Sequence, residues 1–410
     1  MANNGNENKV VEAKEIKDLK ASALSLDKLP RFIEIMFKAR QNLMLWGDPG
    51  IGKTAMVEQF VRTKQKENPK FGYRYYPLAS KEPADLIGVP ATKLVKDGSG
   101  QEILRTYWAI PNDLPTESDW EGVMFFDEFN NAAPAMQNAM QQLIQERRLG
   151  DYHLPKGAFI IAAGNLSTVN SYTTELQAPV KDRFGHKYVE MNLKSWINYM
   201  LGLVKGAKDK GDIKYTEAYA DITQAIVQFV GQRENGEYLF DHEAMMSGSY
   251  TFATPRSWER IRDIWAENPD LTDDELQHVC TQYVGGALGP QLVAFKNDKN
   301  MYQNPREVLI EGKDFRDADF NGLYGTFLGA FSMLANALSK LPEGVEPKED
   351  KHLSKMVANL LSATKKIKAT DFKVAELKTI LRDMPALVSL LDVDMVCEVG
   401  AEANRIENGK

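Results

Sequence analysis

Cysteine is almost missing from this 410-residue sequence, which contains only Cys280 and Cys397. That excludes a disulfide framework and a cysteine zinc site, and it fits a reducing compartment. Histidine is scarce too. The five present (His153, His186, His242, His278, His352) show no metal-ligand spacing. No long hydrophobic run occurs, and the first twenty residues are polar and mixed in charge, unlike a signal peptide. The most apolar segment, Gly322 to Leu338, is short for a span and carries Gly325, Thr326, Gly329, Ser332 and Asn336. It reads as a buried helix with close neighbours. Positive charge is in deficit: 50 Lys and Arg against 57 Asp and Glu leave a net charge of −7. Nucleic acid is therefore disfavoured as the main partner, although a local basic patch remains open. There is no internal repeat, no low-complexity tract and no Gly-x-Ser-x-Gly nucleophile elbow. Together these absences predict a cytoplasmic protein without a membrane span.

What is present is ordinary for a folded chain: 43% hydrophobic and 26% charged residues, at a length that suits two or three domains. Residues 1–23 lack an apolar period and read as a mobile segment. Leu26 to Ala39 has helical spacing, with Leu29, Phe32, Ile33, Met36 and Phe37 on one side. Short apolar runs then alternate with helical stretches. Strands are expected at Leu43–Trp46, Tyr73–Tyr76, Gly122–Phe126, Ala158–Ala162 and, more weakly, Lys187–Met191. Helices are expected at Ala55–Thr63 and Ala135–Glu146. This alternation predicts an α/β domain, a parallel sheet of about five strands with helices on both faces. Beyond Lys194 the strands stop. Thr216–Val230, Arg256–Glu267, Asp273–Val284, Leu323–Leu338 and Leu353–Ile367 read as helices, with a Thr272/Glu275 capping box and Pro255 at a helix start. The fold class is thus α/β followed by all-α.

Three segments carry chemistry. Gly47-Asp48-Pro49-Gly50-Ile51-Gly52-Lys53-Thr54 fits G-x-x-x-x-G-K-[ST] between an expected strand and an expected helix. Its glycines let backbone N–H groups converge on phosphates, and the helix N-terminus adds positive potential. Lys53 is placed to neutralise the β- and γ-phosphates and Thr54 to bind Mg²⁺. Val123 to Phe126 is an apolar strand ending in Asp127 and Glu128. Asp127 is expected to hold Mg²⁺ through water and Glu128 to polarise the attacking water. A third buried strand, Ile160 to Ala163, ends at Gly164-Asn165, and Asn165 is a candidate to orient the same water. No Asn-Lys-x-Asp element follows, so ATP is the expected nucleotide. Lys365, Lys366 and Lys368 are three close lysines with no interleaved aromatic residue, and read as a solvated face.

Together these motifs resemble an AAA+ ATPase. The run Phe126-Asp127-Glu128-Phe129-Asn130-Asn131-Ala132-Ala133-Pro134, with Gln137 and Met140 to Arg147 after it, is similar to the MoxR type. That type belongs to the helix-2-insert clade, with magnesium chelatase, midasin and dynein. Asp182-Arg183-Phe184-Gly185 resembles the clade's Asp-Arg-Phe element, and Thr254-Pro255-Arg256 its sensor 2 motif. The resemblance spans about Leu26 to Arg260. It implies that Arg183 is an arginine finger reaching the phosphates of a neighbouring subunit, and that Arg256 is the sensor 2 arginine. About sixty residues separate the last expected strand from Arg256, which leaves open whether it acts in cis or in trans. It further implies an AAA+ domain at 24–194, a helical lid at 195–290, and a ring, usually a hexamer. Residues 291–410 form a helical region to which the resemblance gives no role.

Two hairpins resemble inserts of the clade. Ala91–Val95 and Gln101–Tyr107 flank Lys96 to Gly100, whose tip is expected to move while Leu94, Val95, Ile103 and Leu104 anchor the base. Arg148 to Gly157 is the second, with Tyr152 and His153 expected near its tip. The preferred function is ATP-driven remodelling of a partner protein, by resemblance one with a von Willebrand factor A (vWA) domain. A nucleic-acid-acting motor and an ATP-assembled structural ring are the alternatives.

Overall fold

Uninterrupted apolar runs set the centre of the fold. In the computed structural model every side chain of Leu43–Trp46 (β2) is buried, as are the central five residues of Glu121–Asp127 (β6) and all but the first of Gly157–Gly164 (β9). Burial on both sides of a strand requires a sheet covered on both faces. The structure describes residues 17–165, 176–201, 217–233, 236–298, 303–316, 320–339, 341–342, 345–367, 387 and 390. The chain divides into two units, residues 1–192 and 193–410.

The first unit is built on a six-stranded parallel sheet in the order β1-β10-β2-β9-β6-β3. Here β1 is Leu24–Ser25, β3 is Gly72–Pro77 and β10 is Gly185–Glu190. Side chains alternate between the two faces. Met44, Trp46, Met124, Phe126, Ile160 and Ala162 pack with Met136, Met140 and Leu143 of the Pro134–Glu146 helix. On the other face Phe37, from the Leu29–Ala39 helix, sits edge-on to Phe159 (5.6 Å) and to Phe60 (5.8 Å) of the Lys53–Glu67 helix. Phe125 and Phe126 are fully buried. Cutting either to alanine is expected to cost about 3–5 kcal/mol, a large share of a domain's stability.

The sheet has one strand more than the sequence suggested. The addition, β1, is two residues paired with Val189 and Glu190, too short to show a period. Of the segment expected to be mobile, residues 1–16 lie outside the described residues. Residues 17–21 are helical, and Leu19 and Ala23 pack against the core.

Two hairpins leave this unit. Val89–Lys96 (β4) pairs antiparallel with Glu102–Ala109 (β5) over eight residues each, longer than the sequence suggested. The turn is held by Asp97, whose Oδ1 accepts from the backbone N–H of Ser99 (2.8 Å) and Gln101 (3.0 Å) and from the Ser99 hydroxyl (2.6 Å). Leu94 and Leu104, expected to anchor the base, are instead directly opposed and 62% and 67% exposed. The second hairpin, Arg148–Leu149 (β7) with Tyr152–His153 (β8), is short. Its tip is Gly150–Asp151. Tyr152, expected near the tip, is buried and donates its hydroxyl to the Pro115 carbonyl at 2.8 Å.

Among its described residues the second unit contains helices and no strand. Phe229, on the Glu217–Gly231 helix, stacks on Tyr238 (5.0 Å) and meets Trp258 edge-on (5.8 Å) from the Pro255–Glu267 helix. Asp273–Asn297 starts with the expected capping box: Thr272 N–H donates to Glu275 (2.9 Å), and the Thr272 hydroxyl accepts from Glu275 N–H (3.3 Å). It breaks at Gly285, where φ is 87°, one residue past the expected end at Val284. The Phe320–Ser339 helix buries Phe327, Ala330, Phe331 and Leu334, as a buried helix should. Among the described residues no helix is long and apolar enough to cross a membrane. Cys280 is fully buried, and burial pushes its thiol up to about 12.

Candidate functional site

The turn between β2 and the Lys53–Glu67 helix runs from Gly47 to Gly52, and its last residue has φ 101°, a conformation open to glycine and disfavoured for a side chain. The helix N-terminus therefore faces the carboxyl end of β2. That strand lies between β10 and β9 in the sheet, and open parallel sheets bind ligands at this end of their strands.

Five chain segments meet there. Lys53 is 8% exposed, and its ammonium donates to the carbonyls of Gly47 (2.8 Å) and Asp48 (3.0 Å) and to Asn165 Oδ1 (2.8 Å). The Thr54 hydroxyl donates to Asp127 Oδ2 at 2.9 Å. The Tyr75 hydroxyl, on β3, reaches the same oxygen at 3.4 Å. Burial, with Asp127 adding, holds the Tyr75 phenol above its ordinary value, so it remains a donor. The Tyr188 hydroxyl reaches Asp48 Oδ2 at 3.4 Å from β10.

Glu128 follows Asp127 beyond the strand end and is exposed, with its N–H donating to Asp127 Oδ1 at 2.9 Å. Its φ of 54° is uncommon for a residue with a side chain. Among the described residues only Arg40 and Arg147 share such a value, and both end helices, where it is expected. Glu128 instead opens the short Phe129–Asn131 turn and is kept there by the buried Phe129 and Asn130. Backbone strain of this kind collects at functional sites.

The residues fit a magnesium nucleotide. Thr54 and Asp127 converge on one point, and the phosphate loop supplies a cation and a helix N-terminus beside it. Among the described residues no group of three or more His, Cys, Asp or Glu could hold a metal alone. Mg²⁺ commonly takes one or two protein ligands and completes its shell with phosphates and water.

One expected site residue of the first unit stands apart from this cluster. Arg183 precedes β10, whose first residue Gly185 pairs with Leu43, the start of β2, while Tyr188 pairs with Trp46 at its end. The Asn42 side chain donates to the Arg183 carbonyl at 3.3 Å. Arg183 is therefore at the opposite edge of the sheet from the phosphate loop, about 13 Å away along β2 at roughly 3.3 Å per residue. Its guanidinium donates to the Pro179 carbonyl. Arg256 lies in the second unit, exposed in the first turn of a helix whose start is capped by Thr254 accepting from Ser257 N–H at 3.0 Å. Asn130 and Tyr75 were not singled out from the sequence. Asn130 lies inside the Asp127–Glu128 motif, but its partner is Asn165, 35 residues on.

Residues 9–187 match the family model for the MoxR domain of MoxR–vWA–β-propeller ternary systems. That stretch is a MoxR-type AAA+ domain. No curated protein matches the chain. Solved structures similar to it include a protein from Cytophaga hutchinsonii described as a candidate ATPase (13% identity, 68% of this chain and 88% of that one, TM-score 0.31). Others are the RuvB Holliday junction branch migration motor of Thermotoga maritima (13%, 69% and 73%, TM-score 0.33) and NtrX of Brucella abortus in complex with ADP (12%, 90% and 71%, TM-score 0.33). At these scores the likeness is too distant to transfer an activity to the MoxR domain.

Proposed function

We propose that this chain is a ring-forming ATPase that uses ATP hydrolysis to remodel a partner protein. The convergence of Lys53, Thr54, Asp127 and Asn165 at the carboxyl edge of the sheet carries the reading. Lys53 neutralises the β- and γ-phosphates. Thr54 and Asp127 hold Mg²⁺, which when bound draws charge off the phosphate oxygens. Glu128 polarises the attacking water, Asn165 orients it, and Gly47 to Gly52 wrap the phosphates. Arg183, distant from its own phosphate loop, serves the site of a neighbouring subunit, which calls for a closed ring, a hexamer by resemblance. Arg256 is the sensor 2 arginine, residues 195–290 act as a lid, and residues 291–410 are a further helical region. The partner is a protein with a vWA domain, in keeping with the systems that the matched MoxR family model describes. The proposed compartment is the cytoplasm, where ATP is available.

The test separates phosphate binding from water activation. Lys53→Ala is expected to abolish binding of a fluorescent ATP analogue. Glu128→Gln is expected to bind it within about threefold of the wild type while phosphate release falls about 100-fold or more, in keeping with the loss of a catalytic base. Normal turnover by Glu128→Gln would remove Glu128 from its role.

A further inference from the structure

Asn130 ties the segment that carries Asp127 and Glu128 to the one that carries Asn165. It sits in the Phe129–Asn131 turn, two residues after Glu128, and is 5% exposed. Its Nδ2 donates to the Asn165 carbonyl at 2.9 Å, and its Oδ1 accepts from the Asn165 N–H at 3.2 Å. A carbonyl and an N–H on the same partner residue admit only one orientation of the amide, so both atoms are assigned by their chemistry. Gripping a residue by both backbone groups fixes its position and its rotation together. From that clamped backbone the Asn165 side chain extends to Lys53, 2.8 Å away.

The approach is close enough to dictate the neighbouring residue. A Cβ at position 164 would lie 2.6 Å from Asn130 Oδ1, so the strand can end against Asn130 only because residue 164 is glycine. On its other side, Asn130 is the middle residue of the turn that Glu128 opens at φ 54°. Phe129, fully buried, leaves that turn little room to tilt. A shift of Asn130 therefore moves Glu128 and Asn165 relative to each other, and both relative to Lys53.

We propose that Asn130 is a positioning residue for ATP hydrolysis, holding Glu128 and Asn165 in register across the phosphate site. The proposal rests on the ATPase reading. Asn130 is buried and its side chain bonds to the Asn165 backbone, so its loss should spare binding and reduce turnover. A misplacement of about 1 Å in a reacting group can cost on the order of 100-fold in rate.

The experiment uses the full chain. Phosphate release (kcat and KM), binding of a fluorescent ATP analogue and thermal melting are measured for the wild type, Asn130→Ala and Asn130→Asp. The Asp variant keeps the volume and the acceptor for Asn165 N–H but loses the donor to the Asn165 carbonyl. If Asn130→Ala does not fold, Asn130→Asp decides. The expected result is binding and KM within about threefold of the wild type, with kcat lower by about 10- to 100-fold. A folded Asn130→Asp with kcat within twofold of the wild type would overturn the proposal. So would a parallel loss of binding and turnover, which marks a purely structural role. A wild-type chain that binds the analogue but releases no phosphate would reject the ATPase reading, and this inference with it.

Discussion

His186 shows how much one side chain near the phosphate loop can depend on its protonation. Trp46, the last residue of β2 before the loop, donates its indole N–H to His186 Nδ1 at 2.9 Å. The other ring nitrogen, Nε2, lies 2.8 Å from the Lys181 carbonyl and must carry the proton it donates. Both nitrogens are thus committed in the neutral form, and a second proton on Nδ1 would point at the indole N–H. Burial is the main cause that holds the imidazole below its ordinary value; the Lys181 charge also lowers it, against the opposing hydrogen bond to the Lys181 carbonyl. The sign of the linkage follows. The unfolded chain binds this proton more readily than the folded one, so the contribution to stability is complete above the unfolded value of about 6.5 and is lost as pH falls through the lowered folded value. Thermal melts between pH 7.5 and 5.5 should show the midpoint falling with acid, and His186→Gln should flatten that dependence. An unchanged slope in the variant would mean that other groups set it.

The two hairpins are where reading by pattern and reading by contact part company. The Asp-Gly signal located the first one correctly, because turn chemistry is local. Leu94 and Leu104 are exposed and not anchors, because alternation along an isolated two-stranded ribbon does not say which face, if any, is covered. The second hairpin is where the sequence puts it, with Tyr152 beside its tip, but the pattern does not show that Tyr152 is buried, because its hydroxyl's partner, Pro115, is 37 residues distant. The sheet was legible for a different reason. Strands buried on both faces announce themselves as apolar runs, whereas the two-residue β1 has no pattern to show. In the site, Lys53, Thr54, Asp127, Glu128 and Asn165 could be named because each ends or begins a patterned element. Asn130 and Tyr75 depend on neighbours brought by the sheet. The hairpins also meet: a Cβ at Gly150, on the second tip, would come 3.3 Å from Trp108 near the base of the first. The far end of the first carries only the Asp97 turn and the exposed Leu94 and Leu104 pair. Deleting Asp97 to Gly100 is therefore expected to leave phosphate release within about twofold and the melting midpoint within a few degrees, since solvent-exposed loop changes cost little. A tenfold loss of turnover would make this segment part of the catalytic core.

At the scale of the whole molecule, the placement of Arg183 raises the question of how many chains make one site. The strand register puts it at the amino edge of β2 and the phosphate loop at the carboxyl edge. The roughly 13 Å between those edges is long for one arginine side chain, and the role proposed for Arg183 is therefore at another chain's nucleotide. If so, Arg183→Ala should bind the ATP analogue within about threefold of the wild type, yet lose about 10³-fold or more in phosphate release, the scale on which arginine fingers act. Glu128→Gln should be equally inactive for a different reason. Mixed in one assembly, the two variants should regain part of the activity, because some interfaces then pair an intact Glu128 on one chain with an intact Arg183 on the next. In random mixing of equal parts, about a quarter of interfaces carry both intact groups, so recovery toward that fraction is expected when interfaces act independently. The measurement is phosphate release against mixing ratio, with mixed assembly established beforehand by native mass spectrometry. Activity that stays at the level of the separate variants across all ratios, in assemblies shown to be mixed, would mean that Arg183 does not complete a neighbour's site and that its guanidinium serves its own chain.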